Sequence, residues 1–217
     1  MKVLNLYSGI GGNRKLWEDV EVTAVELNPE IAKIYQDFFP DDNVIVGDAH
    51  EYLLEHFKEY EFIWASPPCP THSRLRLLSV NRGLIKLEYP DMKLYQEIII
   101  LQNFFKGKYV IENVIGYYDP LIMPQQSGRH YFWANFRIGN METNHLSIKN
   151  RKEITLQDRM KDHGFIISNW HNYKGDKHKI LKNCVDPSQG EHIFNCARNI
   201  IKSQDITQGE ISFVERT

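Results

Sequence analysis

A doubly wound, mostly parallel α/β sheet is the fold class this 217-residue sequence predicts. Short apolar runs of strand length alternate with runs of helical periodicity. The joints between them are short and carry Gly, Pro or Asp. The residues fit for chemistry also fall at the carboxyl ends of the strand-like runs, where sheets of this type hold their ligands.

The elements follow in order. Lys2–Tyr7 (KVLNLY) reads as a buried strand, followed by Gly9, Gly11 and Gly12 and a helical stretch over Asn13–Asp19. Val22–Glu26 is a second strand. Pro29–Phe39 is a helix with its proline near the start, where a missing N–H does no harm. Asn43–Val46 is a third strand, ending at Gly47-Asp48, and His50–Lys58 is helical. Glu61–Ala65 is a fourth strand and delivers Ser66-Pro67-Pro68-Cys69. Asp91–Phe105 has strong helical periodicity, Lys108–Glu112 is a fifth strand, and His130–Ile138 alternates as another. Residues 139–180 are polar and fit no periodic element. A final helix begins near Glu191. The chain divides into 1–138, a small region 139–180, and a C-terminal segment 181–217 that returns to the first part.

Composition narrows the class. Hydrophobic residues make up 42% and charged residues 25%, as in a water-soluble globular chain. The longest apolar runs fall short of the roughly 18 residues of a membrane helix. MKVLNLYSGIGG runs straight into a strand and does not read as a signal peptide. Three cysteines, Cys69, Cys184 and Cys196, are too few for a disulfide framework and point to the cytoplasm. The net charge of −2 lacks the broad basic footprint of a dedicated nucleic-acid binder. Residues 72–86 are an exception: Arg74, Arg76, Arg82 and Lys86 occur there without an acid. That stretch reads as a solvated loop or as a basic loop beside a reactive cysteine.

Six places along the chain carry candidate chemistry. In Tyr7-Ser8-Gly9-Ile10-Gly11-Gly12, glycines let backbone approach a ligand. Glu26, at the end of the next strand, can accept both hydroxyls of a ribose. YSGIGG does not match the dinucleotide fingerprint, so the sheet suits a nucleoside cofactor without pointing to NAD. Asp48 can bond an adenine amine or cap the helix that follows, and the two roles are compatible. Cys69 sits among prolines that hold its backbone so that a thiolate can project; a buried structural cysteine is the competing reading. Glu112, in Glu112-Asn113-Val114, is placed to act as an acid. Arg129 can orient a planar substrate through its fork or lie on the surface.

YSGIGG, VELNPE, GDAHEYL, SPPCP, IENV and GRHYFW, in this order and spacing, resemble the DNA (cytosine-5)-methyltransferases. LKNCVDP at 181–187 resembles that family's closing motif through Asn183, Val185 and Pro187. The resemblance runs over residues 1–137 and resumes at 181–197. It implies a Rossmann-like sheet of the S-adenosylmethionine-dependent type, with S-adenosylhomocysteine as product and no metal. It also implies a DNA partner whose cytosine is flipped from the duplex. Cys69 would add to carbon 6, Glu112 would assist at ring nitrogen 3, and carbon 5 would take the methyl group. Arg129 would hold the base, and Asn113 would brace Glu112. The cofactor would lie among Tyr7, Ser8, Gly9, Gly11, Gly12, Glu26, Leu27, Asp48, Ala49, Pro68, Asn183 and Val185. Ser73, Arg74, Arg76 and Arg82 would belong to a mobile loop closing on phosphates.

The chain departs from that pattern at several points. Asn5 stands where Asp is usual, Pro70 where Gln is usual, and Ser127 in place of an arginine. About 43 residues separate the aromatic strand from LKNCVDP, which makes for a reduced target-recognition region and raises a specificity partner as an expectation. The expected setting is a bacterial or phage-infected cell, with a restriction system as one context. Three alternatives stand beside a DNA substrate: an RNA cytosine-5 methyltransferase, an exocyclic-amine methyltransferase (SPPC is one residue from the Ser-Pro-Pro-aromatic turn), and a non-catalytic nucleic-acid-binding relative.

Overall fold

The computed structural model describes residues 1–139 and 154–200. Strands β1 (Lys2–Leu6), β2 (Glu21–Glu26) and β3 (Asn43–Val46) form one half of a sheet, with helix α1 (Pro29–Phe38) between β2 and β3. Helix α2 (Ala49–His56) leads to β4 (Phe62–Ala65). Helices α3 (Arg74–Asn81) and α4 (Lys93–Phe104) precede β5 (Lys108–Val114). A hairpin, β6 (Gln125–Ser127) and β7 (His130–Ala134), completes the sheet, and α5 (Leu156–Asp162), α6 (Lys177–Asn183) and α7 (Pro187–Ala197) follow. The order is β3-β2-β1-β4-β5-β7-β6. The first five strands pair in parallel, and β7 pairs antiparallel with both β5 and β6. The chain reverses direction across the sheet between β1 and β4, which is the switch point where such sheets bind ligands.

Side-chain alternation builds two cores. Leu4, Leu6, Ile63, Ala65, Tyr109 and Ile111 pack on one face with α2 and α4. Val3, Phe62, Trp64, Val110 and Phe132 pack on the other with Trp17, Ile193 and Phe194. Trp17 stacks on Phe194 at 4.9 Å, and its indole N–H donates to the Gly190 carbonyl. Phe132 and Phe194 are sealed from water, each stabilising the fold by roughly 1.5–3 kcal/mol relative to exposure. A third cluster joins Ile34 of α1 to Phe165, Ile180 and Leu181.

Caps set the helix starts. Asn28 accepts from Ile31 N–H ahead of Pro29, and Asp48 accepts from the His50 and Glu51 amides. Asp186 does the same before Pro187, so α7 starts at Pro187, ahead of the expected start near Glu191.

The structure corrects two element assignments. Asn13–Asp19 is a series of turns and no helix. The side chains there are engaged elsewhere: Asn13 pairs with Asn5, and Arg14 makes a 2.9 Å ion pair with Asp42. Residues 74–81 form helix α3 where an irregular loop was expected. Of the region 139–180, residues 140–153 lie outside the described residues, as do 201–217 of the C-terminal segment. The described remainder of 139–180 includes α5, which opens with a Thr155–Asp158 capping box, and the start of α6.

Candidate active site

The loop after β1 and the turn after β4 flank the switch point. Tyr7, Gly9 and Gly11 in that loop have φ of 55°, 54° and 83°. A Cβ on Gly9 would meet nothing within 4 Å, so its backbone borders open space. A Cβ on Gly11 would strike Phe39 and Tyr35 at 2.4 and 2.8 Å. Ser8 is buried, and its hydroxyl has no hydrogen-bond partner. Glu26 accepts from Gly9 N–H at 3.0 Å and Asn28 N–H at 2.9 Å. Burial raises its carboxyl, and the amides of Asn28, Gly9 and Leu27 oppose that rise. Beside it, Leu27 is 70% exposed, an apolar surface at the mouth of the loop.

On the next strand end, Asp48 caps α2, so the capping role is realised and leaves Oδ2 3.6 Å from Lys93 Nζ. Burial opposes ionisation of Asp48, but the Glu51 and His50 amides outweigh it and hold its carboxyl below the usual range. Ala49 is buried beneath. The return segment closes the loop from the other side. Gly12 lies so close to Val185 O and Cys184 Sγ that a Cβ would sit 2.2 and 2.3 Å from them. Asn183, the last residue of α6, is exposed, and Val185 is half-buried. An open glycine edge, an orphan Ser8 hydroxyl, a carboxylate with free lone pairs and an exposed apolar neighbour together fit an adenosyl cofactor.

The Cys69 turn is tied down by its neighbours. Pro67 is buried and Pro68 exposed. Asn113 Nδ2 donates to Pro67 O at 3.0 Å, linking the end of β5 to the proline turn. Cys69 O accepts from His72 N–H, and His72 Nδ1 lies 2.6 Å from Tyr118 Oη. Burial pushes the Cys69 thiol up, the charge of Glu112 adds to that, and Lys179 opposes it. Glu112 is on β5, the strand paired with the one that delivers Cys69. The two groups therefore share one electrostatic environment.

The basic segment is more structured than a mobile loop implies. Ser73 caps α3 without a side-chain bond, and Arg74 Nε donates to Gly116 O at 2.7 Å. Arg76 lies 2.6 Å from Glu88 in an ion pair, and Arg82 is exposed. Arg129 does not reach the cluster. It follows Gly128 (φ 58°) in the β6–β7 turn, is exposed, and has no hydrogen bond or ion pair among the described residues. The next residue, His130, has Nε2 3.6 Å from Glu112 Oε1.

Sequence reasoning also missed Glu97. It is wholly buried on α4, where Tyr7 Oη and His50 Nδ1 both meet its Oε1. An acid on the buried stripe Leu94, Glu97, Ile98, Leu101 was the readable signal. Among the described residues, no three His, Cys, Asp or Glu side chains are grouped to hold a metal ion, and no helix is long and apolar enough to cross a membrane.

The fold is that of the S-adenosylmethionine-dependent methyltransferases. Residues 1–120 match the family described as C-5 cytosine-specific DNA methylase, more than half of the chain, and the chain belongs to that family. A curated relative, the tRNA (cytosine(38)-C(5))-methyltransferase of Spodoptera frugiperda, is 31% identical over 80 residues, which is 34% of this chain and 24% of that protein. The match thus spans about a quarter of the relative's length. A solved structure of a DNMT2 mutant from the same organism is 28% identical over 54% of this chain and 36% of that one, with a TM-score of 0.39. The Entamoeba histolytica methyltransferase EhMeth is similar in fold across 94% of this chain and 99% of that one, at 13% identity and a TM-score of 0.51. The curated relative's tRNA substrate overturns the expectation of a DNA substrate, with its flipped-duplex partner and restriction-system context.

Proposed function

We propose that the chain is an RNA cytosine carbon-5 methyltransferase. The observation that carries the chemistry is the convergence of Cys69 and Glu112 at the carboxyl ends of adjacent parallel strands, where burial and then the Glu112 charge push the thiol up. The RNA reading is supported by the curated relative, whose name places its methyl group on a tRNA cytosine.

Cytosine carbon 5 is a poor nucleophile. Addition of the Cys69 thiolate to carbon 6 turns the ring into an enamine with electron density at carbon 5. Negative charge would accumulate toward ring nitrogen 3, and a proton from Glu112 neutralises it there. Asn113, anchored on Pro67 O, fixes the spacing between the Glu112 strand and the Cys69 turn. Glu26, the Gly9 edge and Ser8 would hold S-adenosylmethionine, which when bound would supply an electrophilic methyl group. After methylation a solvent water takes the carbon-5 proton, the freed electron pair forms the carbon 5–carbon 6 double bond, and the carbon 6–sulfur bond breaks to release the Cys69 thiolate and restore the aromatic ring. Arg74 and Arg82, at the two ends of α3, would supply positive charge to an RNA phosphate backbone.

The test incubates the protein with tritiated S-adenosylmethionine and RNA or DNA containing 5-fluorocytosine. Fluorine at carbon 5 blocks the final elimination and traps the adduct. A labelled complex with RNA, absent in Cys69→Ala, is expected. A complex with DNA alone, or methyl transfer that survives Cys69→Ala, sinks the proposal.

A further inference from the structure

The antiparallel register of β5 and β7 pairs Glu112 with Phe132 and Val114 with His130. Directly opposed residues share a face, so Glu112, Val114, His130 and Phe132 project to one side of the sheet. This is the face on which Val110 and Phe132 pack against α7. Arg129, one residue before His130, is in the turn and exposed. Alternation therefore brings a histidine to Glu112 and leaves the arginine outside.

We propose that His130 is the proton-relay partner of Glu112, returning to it the proton that Glu112 donates to ring nitrogen 3. The inference rests on the cytosine carbon-5 reading above. Glu112 is 12% exposed and His130 29%, so the carboxyl has little water of its own while the imidazole keeps an edge in solvent. The 3.6 Å separation is slightly long for direct transfer; catalytic bonds of this kind tighten when substrate is bound. The proton balance is simple. The Nε2–H bond of His130 breaks as an O–H bond forms on Glu112, and that O–H bond breaks as N3–H forms. At elimination the proton goes back by the same path, so the relay consumes none.

Few charged groups compete for His130. From β5 it faces Glu112 and Val114, and from β6 Ser127. On its own strand the Phe132 ring lies edge-on at 6.3 Å. Cys69 and Lys179 are coupled to the cluster through the thiol, which burial first and the Glu112 charge second push up while Lys179 opposes. Neutralising Glu112 through His130 would remove the second of those causes.

The experiment uses the full chain, tritiated S-adenosylmethionine and a cytosine-bearing RNA, with His130→Gln, His130→Ala and Arg129→Gln. Single-turnover rates are measured across about pH 5 to 8, where an imidazole changes charge. His130→Gln is expected to lower kcat by about 10²-fold, the low end for a general acid, with the RNA KM and the affinity for S-adenosylhomocysteine within about twofold. The pH dependence should flatten, and added imidazole should restore part of the rate in His130→Ala. If wild type traps 5-fluorocytosine RNA but His130→Gln matches its rate and pH profile, or if the loss appears in Arg129→Gln alone, the relay is overturned. A wild type that traps no RNA overturns the parent function and the relay with it.

Discussion

Tyr7 Oη donates to Glu97 Oε1 at 2.5 Å, and the same carboxylate oxygen lies 2.9 Å from His50 Nδ1. Tyr7 belongs to the loop after β1, His50 to the first turn of α2, and Glu97 to the middle of α4. One buried carboxylate thus ties together two edges of the cofactor cradle. Burial and then the Glu97 charge hold the Tyr7 hydroxyl protonated, so it acts as a donor throughout. Tyr7→Phe removes that donor and leaves Glu97 less satisfied. The expected loss is about 1–3 kcal/mol of unfolding free energy, read by urea denaturation. A weaker affinity for S-adenosylhomocysteine is expected as well, read by calorimetry. A variant that unfolds at the wild-type midpoint and binds equally well would show that the bond is incidental.

His50 gives this triad a pH dependence. The hydrogen bond to Glu97 raises its pKa, burial opposes that, and the Glu97 charge supports it. A folded-state pKa above the unfolded value of about 6.5 means that the folded protein holds the proton more tightly. The stabilisation is complete below about pH 6.5 and is lost as pH rises through the folded value. His72 and His163 run the other way, since burial lowers both. The comparison that isolates His50 is therefore wild type minus His50→Gln. That difference is expected to be largest at mildly acidic pH and to shrink toward alkaline pH. A difference that is flat with pH would remove the His50–Glu97 link.

Asn5 stands where an aspartate is usual in the family, and its neighbours show what the amide does. Asn13 Nδ2 donates to Asn5 Oδ1 at 2.8 Å, and Asn5 Nδ2 returns a longer bond of 3.4 Å to Asn13 Oδ1. Both residues are buried. Asn5→Asp keeps the acceptor, deletes the donor and places a charge in the core. A loss of about 1–3 kcal/mol is expected, partly recovered at acid pH, where the carboxyl regains a proton. Equal stability of the two proteins at neutral pH would mean that the pair is interchangeable with a carboxylate.

The same pair explains one misread element. The 13–19 stretch has helical composition, but the side chains of Asn13 and Arg14 are committed to distant partners, and no local pattern reveals that. Strands β1 to β5 were legible because apolar runs between turn residues are what a sheet buried on both faces requires. Helix α3 was not, because it buries no residue and so shows no apolar stripe. The position of Cys69 and Glu112 at the carboxyl ends of β4 and β5 was legible too, since it follows from where the two apolar runs end. The placement of His130 beside Glu112 was not. It depends on the β5–β7 register and on a turn at Gly128, and both are pairings between segments.

The contact between Gly12 and the return segment is tight enough to test sterically. A Cβ on Gly12 would sit 2.2 Å from Val185 O, and one on Gly190 2.4 Å from Asn13 O. The atoms in the way are largely backbone, which cannot rotate aside. Gly12→Ala and Gly190→Ala are each expected to cost about 1–3 kcal/mol, and Gly12→Ala to weaken cofactor binding as well. The double variant should lose less than the sum, because both separate the same segment from the same loop. Strict additivity in a double-mutant cycle would show the two contacts to be independent.

The charge on Glu112 makes a prediction about Cys69 that needs no nucleic acid. Burial first and Glu112 second hold the thiol above its usual range. Only the thiolate reacts with iodoacetamide, so Cys69 in the wild type should be alkylated slowly at neutral pH and faster as pH rises. Glu112→Gln removes the second cause and leaves the first. Its Cys69 is expected to react several-fold faster at neutral pH, with the rate profile displaced toward lower pH. Cys184 serves as an internal control: burial pushes its thiol up to about 12, and Glu112 is not among the charges acting on it. Peptide mass spectrometry resolves the two sites in one sample. If Cys69 reacts at the same rate in both proteins while Cys184 stays unreactive, Glu112 does not govern the thiol, and the two groups would not share the electrostatic environment that the cytosine mechanism requires.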